Sequence, residues 1–420
     1  MTFNTQRNPW TEKFAFYWYT DDEFFRFTEA DFDKKARLFY ENGVTCVITF
    51  TSAHSRWTLY PHWDKIVETV KKVVDSLHKY HIRVVEHHSA SMMYAPRNQE
   101  GWDLTEHMFH VRKSDLESWP GVRDFISPDN DPLIDGVPRS TLLQIDGRTG
   151  KAEHFAYHST LMCYNNPDYR RIYLKHLDQL CETGIDGIMC DDIQINRHNC
   201  TCPHCRKRFK EEWGYDLPDP EHWDAFYGDY ENPAFVAWLR FKSDYAMEWH
   251  KTYINHYKSR GYNLIRPNYI SNIVRDNWSS YTFDNAPQLW DFVFQENGTY
   301  CIIGPCHTSL IVEANHRNAM VRPFNVPSMS MFYPRNTSGT YLSWALARVY
   351  GQMYLGTCEG FDITTAEKPY REFEKKYETY YSDPKKAADI TFYLSINTRD
   401  YVKDGSRYME RLCRPSACCL

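Results

Sequence analysis

With 420 residues the chain exceeds one average domain, yet a single α/β barrel with insertions accommodates that length. A hydrophobic content of 42% and a charged content of 25% are ordinary for a globular protein, and no run of eighteen apolar residues suggests a membrane span. A net charge of −6 gives no case for a nucleic-acid partner, whose backbone rewards clustered Lys and Arg.

Apolar, β-branched and aromatic runs recur along the chain with helical stretches between them. Phe14–Thr20 (FAFYWYT), Thr45–Thr51 (TCVITFT) and Ile82–His87 (IRVVEH) read as the first three strands. The segment DKIVETVKKVVDSLHKYH, between the second and third, is an amphipathic helix. A connection from Ser89 to about Pro167 then carries turn signals such as SPDNDP and IDGRTGK. The helix DYRRIYLKHLDQLCETG leads into a fourth strand, Gly187–Cys190, and a second long connection, Asn196 to about Arg260, carries a cysteine cluster and two helices. Leu264–Ile270, Trp290–Gln295, Ser328–Tyr333 and a weaker Cys358–Ile363 complete the count, with the helix TYLSWALARVYGQMYLG after the seventh strand. Eight strands with long, mostly helical connections predict an α/β fold of the (β/α)8 TIM-barrel kind over an open sheet. Both long loops, after strands three and four, leave C-terminal strand ends, where barrel enzymes build their pockets. The barrel is expected over residues 1–385, with an insertion at about 196–260. Ala388–Asn397 (ADITFYLSIN) reads as a further strand, so 386–420 is the start of a second α/β domain or a C-terminal tail.

The segment GIDGIMCDDIQINRHNCTCPHC combines two kinds of chemistry. Cys200, Cys202 and Cys205 are too dense for chance packing, and a tetrahedral Zn2+ requires a fourth ligand. Cys163 is the best candidate for it, with His198 and His204 as alternatives. Four thiolates close the coordination shell, so the expected zinc is structural; no organic cofactor is expected. The N-terminal MTFNTQRNPWTEKFAFYWYT lacks the apolar core of a secretory signal. The thirteen cysteines therefore suggest reduced thiols in a cytoplasmic protein.

Asp191 and Asp192 end the fourth strand and Glu296 ends the sixth. In a closed barrel these tips share one mouth, and two carboxyl groups flanking a bond are the machinery of glycoside hydrolysis. Asp291, at the start of the sixth strand, reads as structural. His54, His87 and His88 follow strands two and three and can hydrogen-bond sugar hydroxyls or ligate a metal. A metal-dependent amidohydrolase would need His-x-His at the first strand tip, where this chain has Tyr17, Trp18, Tyr19, Thr20 and Asp21. Aromatic residues make up 16% of the chain; Tyr17, Trp18, Trp57 and Tyr333 are placed to stack on a sugar, with core packing the competing use.

The segments ENGVTCVITFTSAHSRW, VVEHHSA, CYNNPDYRRIYLKHLDQLCETGIDGIMCDDIQ and CTCPHCRKRFKEEWG resemble glycoside hydrolases of the broad α-L-fucosidase-like and β-galactosidase-like barrel group. The spacing of Cys163, Cys200, Cys202 and Cys205 is similar to the structural zinc site of zinc-containing β-galactosidases. Those enzymes use glutamates after strands four and seven, whereas this chain has Asp191-Asp192 and an acid-free SMSMFYPR. The pattern resembles instead the α-L-fucosidases, which implies Asp191 or Asp192 as nucleophile and Glu296 as acid/base. The resemblance implies an oligosaccharide or glycoside substrate cleaved at a terminal or branching sugar. A non-catalytic carbohydrate-binding barrel and a metal-dependent hydrolase are the competing readings. No membrane partner is expected, and a homo-oligomer is compatible with the sequence.

Overall fold

The computed structural model describes residues 8–50, 54–152, 156–193, 195–269, 287–297, 314–315, 317–357, 362–382 and 395–404. Among the described residues, eight parallel strands follow one another along the chain. They are β1 (Phe14–Trp18), β2 (Cys46–Phe50), β3 (Arg83–Ser89), β4 (Gly187–Asp191), β5 (Pro267–Tyr269), β6 (Phe292–Glu296), β7 (Ser328–Phe332) and β8 (Met353–Gly356). They form two four-stranded ladders, β1-β2-β3-β4 and β5-β6-β7-β8. A parallel bridge between Gly187 and Ile265 joins them at the β4/β5 seam, with the Ile188 amide donating to the Ile265 carbonyl at 2.8 Å. At the other seam the Trp18 indole, ending β1, donates to Thr357 Oγ1 beyond β8 at 3.0 Å.

Side chains alternate sharply along the strands, as the two-residue period of a pleat requires. One face supplies a core shared by both ladders: Phe14, Phe16, Cys46, Ile48, Val85, Met189, Phe292, Phe294, Met329, Met331, Met353 and Leu355. The other face, with Ala15, Tyr17, Val47, Val84, Ile188 and Cys190, packs against helices. The helix Trp63–His78 shows why: Ile66, Val70, Val73, Val74 and Leu77 recur at helical spacing and are buried, while Lys71 and Lys72 pair with Asp75 and Glu68 on its solvent face. Gly187 lets the seam close, because a Cβ there would lie 2.8 Å from the Ile265 carbonyl oxygen and 2.9 Å from Val85 Cγ2.

Three sequence-based boundaries need correction. The eighth strand is Met353–Gly356, inside the stretch expected to be helical. The helix Thr337–Val349 stops because Tyr350 leaves helical geometry and Gly351 follows at φ +66°, freeing MYLG to pair with β7. Of the expected Cys358–Ile363 strand, 358–361 lie outside the described residues and Ile363 begins a short helix, Ile363–Ala366. Of the expected Ala388–Asn397 strand, 388–394 lie outside the described residues. Its end is helical (Ile396–Tyr401), since the Ser395 hydroxyl accepts the Thr398 amide as an N-cap. Thr51 and Ile270, at the ends of two expected strands, also lie outside the described residues.

The loop after β3 contains a small antiparallel pair, Met92–Tyr94 with Ser159–Leu161, and the helix Gln99–Val111. The loop after β4 carries the helices Pro203–Trp213 and Pro233–Ser259. Among the described residues no helix is long and apolar enough to cross a membrane.

Candidate active site

The C-terminal ends of the strands gather the chemistry. Asp191 continues the inward phase of Met189 on β4, and Glu296 that of Phe292 and Phe294 on β6. His87 follows Val85, Phe50 follows Ile48, and Tyr333 follows Met329 and Met331 in the same phase. Asp191 is fully engaged: one carboxylate oxygen lies 3.1 Å from His87 Nε2 and the other accepts the Asp192 amide at 2.8 Å. Asp192, one residue on, should point outward, but its backbone turns left-handed at φ +53°. Its carboxylate comes back to within 3.3 Å of His54 Nε2, while Ser91 and Tyr164 hydroxyls hold its carbonyl at 2.6 and 2.7 Å. The two imidazoles lie 4.4 Å apart between ring centres, and His87 stacks on Phe50.

Electrostatics separates the acids. Burial raises the pKa of Asp192, against hydrogen bonding from Ser89 and the positive charge of Arg112. Glu296 is exposed by surface area, yet enough protein surrounds its carboxyl to raise its pKa by desolvation. The Tyr333 hydroxyl, which donates to Glu296, opposes that shift, and the charges of Asp191 and Asp192 add to it. Burial pushes the His54 pKa well below the usual imidazole range, with His87 and Arg112 adding to the effect.

Three residues expected to contact a sugar are held elsewhere. Tyr17 is buried in the helical layer, stacked on Phe39 beneath the Lys35 ammonium. Trp57 is buried too, its indole donating to the Ala90 carbonyl at 2.8 Å. His88 points away from His87 into a closed network: Glu86 at 2.7 Å on Nδ1, Tyr173 at 2.9 Å on Nε2, and Arg56 paired with Glu86. Adjacent residues of a strand face opposite sides, so His87 and His88 cannot both face the inner core. Trp18, half-buried and edge-on to Phe50, Tyr333, His54 and His87 do lie at the strand ends. Asp291 forms a two-toothed ion pair with Arg266 at 2.9 and 3.2 Å, away from the acids.

Two residues were missed. Tyr157, in the loop after β3, is exposed by surface area, yet the protein around its hydroxyl raises its pKa by desolvation, the nearby charge of Glu296 adding to this, and both it and His158 are left-handed, at φ +60° and +51°. Arg112, just beyond the helix Gln99–Val111, is buried, donates to Ser55 at 3.0 Å and lies over the Phe50 ring. No local signal marks either; only their place in a loop expected to wall the pocket could have suggested them.

The thiols come together as expected. Cys163, Cys200, Cys202 and Cys205 are all buried, with Cys163 Sγ 3.5, 3.6 and 3.8 Å from the sulfurs of Cys202, Cys205 and Cys200. The Asn166 side chain caps the helix that follows Cys163, while Cys202 stands at the N-cap position of the helix that contains Cys205, without a side-chain cap. His198 is not the fourth member: its Nδ1 accepts the Trp223 indole at 3.0 Å, and burial lowers its pKa to about 4. The buried Lys242 ammonium ties the same loop down through the Asn196 and Arg197 carbonyls, both at 3.0 Å. This cluster could hold a metal ion.

The architecture is thus a parallel α/β fold with paired acids at the strand ends. No protein-family model and no curated protein sequence matches the chain. Among solved structures it is similar to the β-galactosidase from the psychrophilic Marinomonas ef1, with a TM-score of 0.57 at 8% identity, covering 95% of this chain and 65% of that one. The chain therefore spans slightly less than two thirds of that protein's length. Lower-scoring matches include the maltogenic α-amylase AmyB from Thermotoga neapolitana (TM-score 0.46, 10% identity, 90% and 79% covered). A second is the GH36 α-galactosidase AgaB from Geobacillus stearothermophilus (TM-score 0.45, 8% identity, 89% and 42% covered). The fold assignment rests on the first.

Proposed function

We propose that the chain is a glycoside hydrolase on a closed (β/α)8 barrel, acting by a two-carboxylate, retaining mechanism. The observation that carries this reading is the common inward phase of Asp191 and Glu296 on separate strands, with their charges close enough to couple. Asp191 is the nucleophile: its carboxylate is oriented by His87 and by the Asp192 amide. Glu296, whose pKa is raised, holds the proton delivered to the leaving oxygen as the glycosidic bond breaks. It then takes a proton from the water that releases the sugar from Asp191. Asp192 and His54 position the nucleophile's loop and offer polar atoms to sugar hydroxyls. A terminal or branching sugar, with α-L-fucoside the first candidate, fits the use of an Asp after strand four and a later Glu.

We assign the four thiolates to a structural Zn2+. Zinc–sulfur bonds of ~2.3 Å in a tetrahedron separate the sulfurs by ~3.8 Å, close to the spacings around Cys163. Bound there, the ion would fasten the β4 loop and leave no open position for substrate. Buried free thiols with this use support a reducing, cytoplasmic setting.

The test is a panel of nitrophenyl glycosides, including α-L-fucoside, with Asp191→Asn, Asp192→Asn and Glu296→Gln. Asp191→Asn should abolish turnover and Glu296→Gln should slow it ~10²–10⁴-fold, while Asp192→Asn retains measurable activity. Wild-type rates in all three variants, or tight sugar binding with no turnover by the wild type, would overturn the assignment.

A further inference from the structure

We propose that His54, His87 and Asp191 form a second metal site, distinct from the thiol cluster, which takes a divalent transition ion such as Zn2+ or Co2+ and blocks the acid pair when filled. The ligand atoms of these three residues all lie within 4.8 Å of one another. Metal bonds of ~2.0–2.1 Å to imidazole nitrogen and carboxylate oxygen place adjacent ligand atoms ~2.9–3.4 Å apart. The His87 Nε2–Asp191 Oδ2 spacing of 3.1 Å falls inside that range. Asp192 Oδ2 lies 3.3 Å from His54 Nε2, so a carboxylate faces that imidazole from outside the three-residue set. Both imidazoles are 4% exposed, so little rotamer freedom is left to lose on binding. The chemistry of the set selects the ion. Two imidazoles with carboxylates suit zinc and its first-row neighbours, whereas Ca2+ and Mg2+ prefer all-oxygen shells. The Asp191 carboxylate in the set and the Asp192 carboxylate beside His54 supply the negative charge that a dication needs there.

Inhibition rests on the hydrolase reading, because the ion would occupy the lone pairs with which Asp191 attacks; binding itself does not. The experiment is calorimetric titration of Co2+ into the full-length protein dialysed into metal-free buffer, with metal content and the visible spectrum read alongside. We expect one ion per chain beyond the thiol site, with weak d–d bands and none of the intense thiolate charge-transfer absorption. His87→Gln, His54→Gln and Asp191→Asn should each weaken it ~10–100-fold, whereas Cys163→Ser should spare it. Thermal melts identify any variant that fails to fold, and the remaining two then decide. No second equivalent, or a second equivalent indifferent to the substitutions in the folded variants, overturns the site. Glycosidase activity that rises with Co2+ overturns the blocking role. Second-site binding in a protein that cleaves no glycoside supports the site and refutes the hydrolase reading instead.

Discussion

Gly187 is a tight joint on the strand that carries Asp191, and replacing it with alanine probes both fold and chemistry. The new Cβ would sit 2.8 Å from the Ile265 carbonyl oxygen and 2.9 Å from both Ile265 Cβ and Val85 Cγ2, where ordinary contact begins at 3.4 Å. The seam must therefore open by about 0.6 Å, the shortfall between 3.4 and 2.8 Å. Overpacking of this kind costs ~1–3 kcal/mol. With an unfolding entropy of ~2.1 cal/mol/K per residue, the whole chain gives ~0.9 kcal/mol/K, so Tm should fall only ~1–3 °C. Activity should suffer more. Gly187 lies four residues before Asp191 on the same strand, and a 1 Å misplacement of a reacting group costs ~10²-fold, so ~0.6 Å predicts roughly a tenfold loss of kcat/KM. Gly214→Ala is the control. At φ +76° with nothing within 4 Å, it should lose ~1 kcal/mol to backbone strain and keep wild-type kcat/KM. Calorimetry and nitrophenyl glycoside kinetics read both. A Gly187→Ala protein with unchanged Tm and unchanged kcat/KM would refute the tight-seam argument.

Glu296 must be protonated to donate, so kcat/KM should fall as pH rises through its raised pKa, placing the alkaline limb above the ordinary carboxylate range. Tyr333→Phe removes a hydrogen bond that favours the ionised form, so a pH profile should show this limb moving higher still; a downward shift would contradict the assignment. Cys163→Ser should lower bound zinc by more than half an equivalent relative to the wild type by elemental analysis and lower Tm by several degrees, since the loops after β3 and β4 would lose their common anchor. His88→Ala strands a buried Glu86 oxygen and leaves the Tyr173 hydroxyl with Cys190 Sγ as its remaining partner, costing ~1–3 kcal/mol in a denaturant melt. The folded His88→Ala protein should keep its KM, whereas His87→Ala should change kcat.

Some features were legible in one dimension. The alternation of apolar strands with helices, the acids at the ends of the fourth and sixth strands, and the close-set thiols depend on local pattern, and the structure brings all of them together. The pairs His87-His88 and Asp191-Asp192 show where local pattern stops. Neighbours on a strand must face opposite sides, so the sequence alone implies that one member of each pair points inward. Which one does so depends on the phase of the strand, and phase is decided by which residues pack against partners far away in the chain. Met189 and Val85 face the inner core, which turns Asp191 and His87 inward and sends His88 to Glu86 and Tyr173. Asp192 then departs from the alternation through a left-handed residue, its carbonyl held by Ser91 and Tyr164. The eighth strand was hidden for a similar reason: MYLG is ambiguous between helix and strand until β7 offers it a ladder. Composition and spacing thus determined which groups exist for chemistry and roughly where, while the direction of each side chain was decided by pairing and packing, which act across the whole chain.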